Sequence, residues 1–272
     1  MNLPEINKSQ LNNVFEVNKL LGLATNAYVE YYKRVLQTKV GQGGTLDPLA
    51  DGKIVILTGR STKLAQTYLD HKKVYDMTVL LGAKSASGDI EQPLEIDENV
   101  GKFDITKVAE IINSFEGESI QRVPLFSAAK QEGKSQYKMM RDGGQPPVPK
   151  ERAVTIHITE QPVLKEVKGS ELVELIDSKI TEITESFATM AKLFQEVNAF
   201  MPGKFLWVKD AILQNLNSEK ERFSSEFADI SFTLITFSAE VTKGTYMRSL
   251  AEDIAEKLGT YGVTFNLRRT GV

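Results

Sequence analysis

Residues Gly41 to Ala50 read G-Q-G-G-T-L-D-P-L-A, a loop that the neighbouring segments must frame. Three glycines in four positions, Gly41, Gly43 and Gly44, let the backbone turn through φ values other residues avoid and let a bulky ligand approach the main chain. The loop then delivers one carboxylate, Asp47, set between Leu46 and the rigid ring of Pro48. Leu49, Ala50 and an apolar strand, Ile54-Val55-Ile56-Leu57, follow. An acid held stiffly between a Gly-rich loop and a buried strand is a candidate nucleophile or base. The same residues also read as an ordinary surface turn that happens to contain an aspartate.

Before the loop, Val14-Phe15-Glu16-Val17 reads as a short strand, and Thr25 as the cap of a helix with Tyr28, Val29, Tyr32, Val35 and Leu36 on one face. After it, Ser61-Thr62 is expected to cap a second helix with Leu64, Ala65, Tyr68 and Leu69 inward. From Lys73 to Gly82 the pattern fits a central strand covered on both faces, with Tyr75 near its start. Phe103 to Phe115 is helical in pattern, the three prolines between Gln145 and Pro149 exclude a helix there, and Val154 to Ile158 is a strand. Ile176, Ile180, Ile183, Phe187, Met190, Phe194, Val197 and Met201 then form a heptad seam in one long helix, stopped by Pro202-Gly203. Phe205 to Leu216 makes the returning helix of a hairpin, and the six acidic against two basic residues between Glu171 and Met201 disfavour contact with phosphates. A strand from Asp229 to Val241 leads to a helix from about Thr245, ended by Gly259, whose inner stripe includes Met247, Leu250, Ala251 and Ile254. Arg248 lies in its first turn, where a cation opposes the positive helix end and either calls for an anionic partner or is an exposed arginine.

At 272 residues with 41% hydrophobic residues, the chain can bury a full core as one large domain or two smaller ones. No leader or apolar run long enough to cross a membrane is evident, so a cytoplasmic chain is expected. The absence of cysteine excludes disulfides and thiolate zinc sites, and two scattered histidines, His71 and His157, make a metal site improbable. A net charge of −3 argues against a nucleic-acid partner, yet residues 122–152 carry seven basic and three acidic side chains together with Phe126, Tyr137 and two methionines. Such a segment suits a phosphate backbone and exposed bases, or else is a solvated loop.

The loop G-x-G-G-T-L-D-P-L-A-x-G resembles the catalytic motif of the TruB family, the tRNA pseudouridine synthases that modify the T-loop uridine at position 55 of tRNA. Three further segments resemble that family in order: His71-Lys72-Lys73-Val74-Tyr75; Val123-Pro124-Leu125-Phe126-Ser127-Ala128 with Gly133, Tyr137 and Arg141; and Lys243-Gly244-Thr245-Tyr246-Met247-Arg248 with Leu267-Arg268-Arg269-Thr270. The resemblance implies a mixed α/β (α+β) fold around a largely antiparallel sheet. The catalytic domain would comprise residues 1–160 and 229–272, with a basic thumb at 122–152 and an added helical hairpin at 165–226. It implies Asp47 as nucleophile or base at the ribose, Arg248 keeping it ionised, Tyr75 stacked on the uracil and Leu267 lining the pocket. RNA contacts would come from Lys19, Gly41, Gln42, Gly43, Gly44, Thr45, Lys130, Lys134, Tyr137, Lys138, Arg141 and Lys243. The spacing of Lys130, Lys134, Lys138 and Arg141 would set them along one helical face.

The implied partner is the T-arm of tRNA, with the target base flipped out and neither cofactor nor metal required. Two other readings remain: a guide-RNA-dependent pseudouridine synthase, and a non-catalytic protein that binds and remodels tRNA. Departures from the family pattern are Gln42 where a histidine is usual, Asn18-Lys19-Leu20 where Asp-Lys-Pro is usual, and an end at Val272 without the customary C-terminal RNA-binding PUA domain. The hairpin is expected to bury its seam on itself, so the chain would be a monomer from which the hairpin can be removed.

Overall fold

The computed structural model describes residues 11–124, 130–131, 134–135 and 151–272. Its body is one sheet in the order β1 (Val14–Lys19), β3 (Ala50–Thr58), β12 (Gly262–Gly271), β4 (Lys73–Leu81), β11 (Ser231–Val241), β10 (Glu151–Lys168) and β7 (Gly117–Arg122), with β2 (Val40–Gln42) paired to β3. Two short pairs lie outside it, β5 (Ala83–Lys84) with β6 (Glu95–Ile96) and β8 (Lys130–Gln131) with β9 (Lys134–Ser135). Neighbours in the main sheet run antiparallel except β12 and β3, which are parallel through Leu267 and Ala50, Arg268 and Asp51, and Arg269 and Gly52. The central strands carry unbroken apolar runs, Ile54 to Leu57 and Val79 to Leu81, all buried, as strands covered on both faces must. At the parallel junction Gly52 has φ +101°, and a Cβ there would stand 2.3 Å from the Arg269 carbonyl oxygen, so only glycine fits.

The sheet is largely antiparallel, as expected. Several local boundaries differ from the sequence reading. Helix α1 (Thr25–Leu36) has Ala24 at its N-cap, and Thr25, inside the first turn, turns its hydroxyl to Leu46 instead. Ser61 and Thr62 do not cap α2 (Ala65–Asp70). They belong to a 3₁₀ turn over Gly59–Leu64 in which the Thr62 hydroxyl donates to the Gly59 carbonyl, and Leu64 is exposed. Helix α3 (Ile105–Asn113) is capped by Asp104, which accepts from the amides of Thr106 and Lys107. The strand expected at Val154 to Ile158 extends to Lys168. Register shifts around Glu160 absorb the polar stretch and Pro162, and pairing with β11 then resumes.

The helical hairpin consists of α4 (Gly169–Glu196) and α5 (Gly203–Ser225). Ile176, Ile183, Phe187, Met190 and Phe194 are buried along the seam as its spacing requires. The first helix nonetheless ends before Val197 and Met201, and the second runs well past Leu216. More consequential is what covers the seam. Phe194 meets Tyr31 of α1 edge-on at 5.7 Å, Lys179 lies over the ring of Phe265 in β12, and Phe223 packs on Phe232 of β11 at 5.4 Å. Buried hairpin residues and buried sheet residues form one continuous core. Contrary to the expectation of a self-contained module, the hairpin is thus not buried on itself alone, since Phe194 and Ile183 of the seam also meet Tyr31 and Gly22, and Lys179 and Phe223 reach the sheet. No helix among the described residues is long and apolar enough to cross a membrane.

Candidate active site

The loop from Gly43 to Ala50 is fastened at nearly every residue. The Gly43 amide donates to the Val55 carbonyl at 2.9 Å, and a side chain on Gly43 would collide with Tyr68. Leu46 and Leu49 are buried on either side of Asp47, and the Leu46 amide donates to the Thr25 hydroxyl at 2.9 Å. The Pro48 carbonyl accepts from the Gly22 amide at 2.8 Å and from Lys19 Nζ at 3.1 Å. Asp47 is therefore held from both sides while its own side chain stays 42% exposed.

Arg248 enters from α6 (Met247–Leu258). Its Nε donates to Asp47 Oδ2 at 2.9 Å, its Nη1 donates to the Ser87 carbonyl, and Asp89 Oδ2 lies 3.8 Å from Nε. Burial works against the guanidinium charge, but Asp47, Asp89 and Glu91 outweigh it and hold Arg248 above its ordinary value. Asp89, buried and bonded by the Ser87 hydroxyl and the Glu91 amide, is pushed upward by burial. Burial, and after it the charges of Asp89 and Asp47, raise Glu91 to about 8. The centre is thus a guanidinium among three acids, of which Asp89 is buried while Asp47 keeps its side chain partly open to solvent.

Tyr75, on β4, is half-buried, and burial raises its phenol above the ordinary value. It lines a cavity of about 130 Å³ with Gly44, Thr45, Lys73, Lys243 and Arg269. Two larger clefts, about 580 and 350 Å³, lie beside α3 and α6 and contain none of Asp47, Tyr75 or Arg248. Arg269 is the residue sequence reasoning missed. Only 2% exposed, it donates to the carbonyls of Lys53 at 2.6 Å and Gly44 at 3.0 Å and stands 3.5 Å from the Tyr75 hydroxyl, tying loop, strand and tyrosine together. Its signal was its place in the closing Leu267-Arg268-Arg269-Thr270 segment. Asp89 had only a Ser-Gly-Asp turn to mark it. Arg269→Met is expected to leave two carbonyls unpaired and to lower stability by about 2–4 kcal/mol, read from urea unfolding.

The structure places the remaining sequence-predicted residues as follows. Gly41 and Gln42 end β2, Gln42 Nε2 donates to the Thr45 hydroxyl at 2.9 Å, and Thr45 is exposed. Lys243 pairs with Asp70 at 2.7 Å on the cavity rim, and Leu267 is buried opposite Met77 and Ala50. Lys130 and Lys134 lie in the paired strands β8 and β9, Lys130 opposite Ser135 and Lys134 opposite Gln131, rather than along one helical face. Tyr137, Lys138 and Arg141 lie outside the described residues.

Lys19 is not an RNA contact. It is 1% exposed, and its ammonium is committed to the carbonyls of Leu20, Leu23 and Pro48. Burial lowers it from 10.5 to about 7, against the pull of Asp51 and Asp47. A folded-state value below the unfolded one gives stability that is complete above about 10.5 and lost as pH falls through about 7. The urea midpoint should therefore rise from pH 7 toward about pH 9, and that rise should shrink in Lys19→Met. An identical slope in the variant would show that the amine does not titrate with folding.

The fold is shared with a chain of a Cbf5–Nop10–Gar1 complex, at a TM-score of 0.52 and 19% identity over 96% of this chain and 49% of that one. The profile of the TruB family pseudouridylate synthase N-terminal domain matches residues 33–179, just over half the chain, and the protein belongs to that family. Relatives named tRNA pseudouridine synthase B include one from Caldicellulosiruptor saccharolyticus, 28% identical over 95% of this chain and 67% of its own length. One from a Sulfurovum species is 42% identical over 49% of this chain and 48% of its own, and one from Cupriavidus metallidurans is 28% identical over 99% and 65%. The chain thus spans about half to two thirds of the length of these relatives.

Proposed function

We propose that the protein isomerises uridine to pseudouridine in the T-loop of tRNA, at position 55, with Asp47 acting on the ribose. The observation that carries this reading is the Arg248 Nε to Asp47 Oδ2 bond at 2.9 Å, at a solvent-accessible acid on a loop otherwise locked to the core, in a chain of this family. The reaction breaks the bond from ribose C1′ to uracil N1 and forms one from C1′ to C5. N1 gains a proton and C5 loses one. Atoms and electrons balance within the substrate, so no cofactor or redox partner is needed.

In this reading Asp47 is nucleophile or base at the ribose, and Arg248 keeps it ionised and aimed. Tyr75 packs on the flipped uracil beside the cavity and assists proton transfer at C5, and Leu267 backs the pocket. Gly41 to Thr45 approach the RNA backbone, with Lys243 at the rim. The partner is the T-arm of tRNA, met by a monomer in the cytoplasm, and flipping the base costs a few kcal/mol. A guide-RNA-dependent activity rests only on a shared fold. A non-catalytic tRNA chaperone would have no use for the Asp47–Arg248 pair.

Incubation of purified protein with an unmodified tRNA transcript, followed by mapping, should give one pseudouridine in the T-loop. No product, or product only with added guide RNA and partner proteins, would sink the proposal. Basic residues of the 122–152 segment should carry the salt-sensitive part of tRNA affinity. Neutralising Lys130 and Lys134 should flatten the log–log salt dependence by about 1.5, with single-turnover chemistry at saturating protein unchanged.

A further inference from the structure

The helical hairpin touches the candidate site at three separate places. On α4, Ile183 lies against Gly22 so closely that a Cβ on Gly22 would stand 2.7 Å from its Cγ2. Gly22 is the residue whose amide holds the Pro48 carbonyl, one peptide beyond Asp47. One turn earlier on the same face, buried Lys179 directs Nζ to the side-chain oxygen of Asn266. Asn266 precedes Leu267, which pairs with Ala50 at the loop's far end. On α5, Asn215 Nδ2 donates to the Ile90 carbonyl at 3.1 Å, between Asp89 and Glu91. One turn on, Glu219 accepts from the Leu94 amide at 3.1 Å while Arg222 donates to the Leu94 carbonyl at 2.8 Å. The hairpin therefore grips both the segment that presents Asp47 and the segment that places Asp89 and Glu91 around Arg248.

We infer that the α4–α5 hairpin is a positioning device for the Asp47–Arg248 pair, acting through Ile183 on the Gly22–Pro48 contact, through Lys179 on Asn266 and through Asn215 on Ile90. None of the three residues touches the acids themselves. Each holds the backbone on which one member of the site is mounted, and displacement of a reacting group by about 1 Å costs up to roughly a hundredfold in rate. The charge of Lys179 adds to the hold, since with Arg268 and Lys19 it opposes the upward push that burial gives Asp51, four residues beyond Asp47. The inference rests on the proposed synthase activity only for its kinetic arm.

The test compares Ile183→Val, Lys179→Met and Asn215→Ala with Phe187→Leu, a buried seam residue lying beneath Lys209 of the partner helix. Each full-length variant is examined by hydrogen exchange at residues 20–24, 44–52 and 87–94 and by single-turnover pseudouridine formation on a tRNA transcript. The three gripping variants should speed exchange in those segments about tenfold or more and slow single-turnover conversion by a similar factor, with tRNA affinity within about twofold. Phe187→Leu should lower the unfolding midpoint without either effect. Ile183→Val removes one methylene and keeps the fold should the others fail to assemble. Unaltered exchange in 44–52 and 87–94, or equal effects from Phe187→Leu, overturns the positioning role. A wild-type protein that forms no pseudouridine overturns the proposed reaction instead, and the exchange data still decide the hairpin's part.

Discussion

Asp47→Asn is expected to abolish pseudouridine formation while leaving the fold and tRNA binding intact. The amide preserves the shape of the carboxylate but has neither its nucleophilicity nor its basicity. The surroundings tolerate the exchange, because Leu46, Leu49, Pro48 and Thr25 hold the loop without using the Asp47 side chain. The loss should be at least about 10⁴-fold in single-turnover rate, the scale seen when a member of a concerted catalytic group is removed. Circular dichroism and a tRNA binding isotherm should match wild type. Turnover within a hundredfold of wild type would remove Asp47 from the chemistry and leave it as a structural partner of Arg248.

Replacing Gly169 to Ser225 by a short Gly/Ser linker is expected to unfold the protein. The deletion bares Tyr31, Phe232, Phe265 and the underside of Gly22, and it leaves the Ile90 and Leu94 backbone groups without their partners. Each large apolar side chain returned to water costs about 1.5–3 kcal/mol, and a domain's whole stability is about 5–15 kcal/mol. Loss of a cooperative thermal transition, with material recovered only from the insoluble fraction, is the predicted outcome. A folded, monomeric deletion variant would mean that the sheet forms an adequate core alone.

The pairing of Asp47 with Arg248 was legible only through the family resemblance, since the two lie far apart in the chain, and the structure brings them to 2.9 Å. Helix electrostatics alone said only that a cation in the first turn of α6 is better placed beside an anion, which suits an exposed arginine as well until the partner is known. The strands flanking the loop were legible from local pattern, since Ile54 to Leu57 and Val79 to Leu81 have no polar alternative. Lys19 was misread because nothing in its neighbours reveals that three carbonyls converge on it from Leu20, Leu23 and Pro48. Thr25 was misread because a hydroxyl before a helix suits both a cap and a tertiary bond, and the Leu46 backbone won. Arg269 and Asp89 become functional neighbours only through sheet pairing and a turn, which pattern alone does not supply. The hairpin's two helices were evident from their spacing, whereas what lay on their second face was a tertiary fact.

The place of β12 between β3 and β4 has a consequence for synthesis on the ribosome. This strand comprises residues 262–271, yet it fills the centre of the sheet and provides Arg269, which clasps Gly44 and Lys53. While those residues are still within the exit tunnel, β3 and β4 each offer an open edge rich in isoleucine, valine and leucine, the kind of edge that pairs readily with another chain. The aspartate loop lacks its arginine clasp throughout that interval. Final ordering of the sheet centre and of the aspartate loop therefore waits until residues 262–271 have emerged, however early the other strands are made.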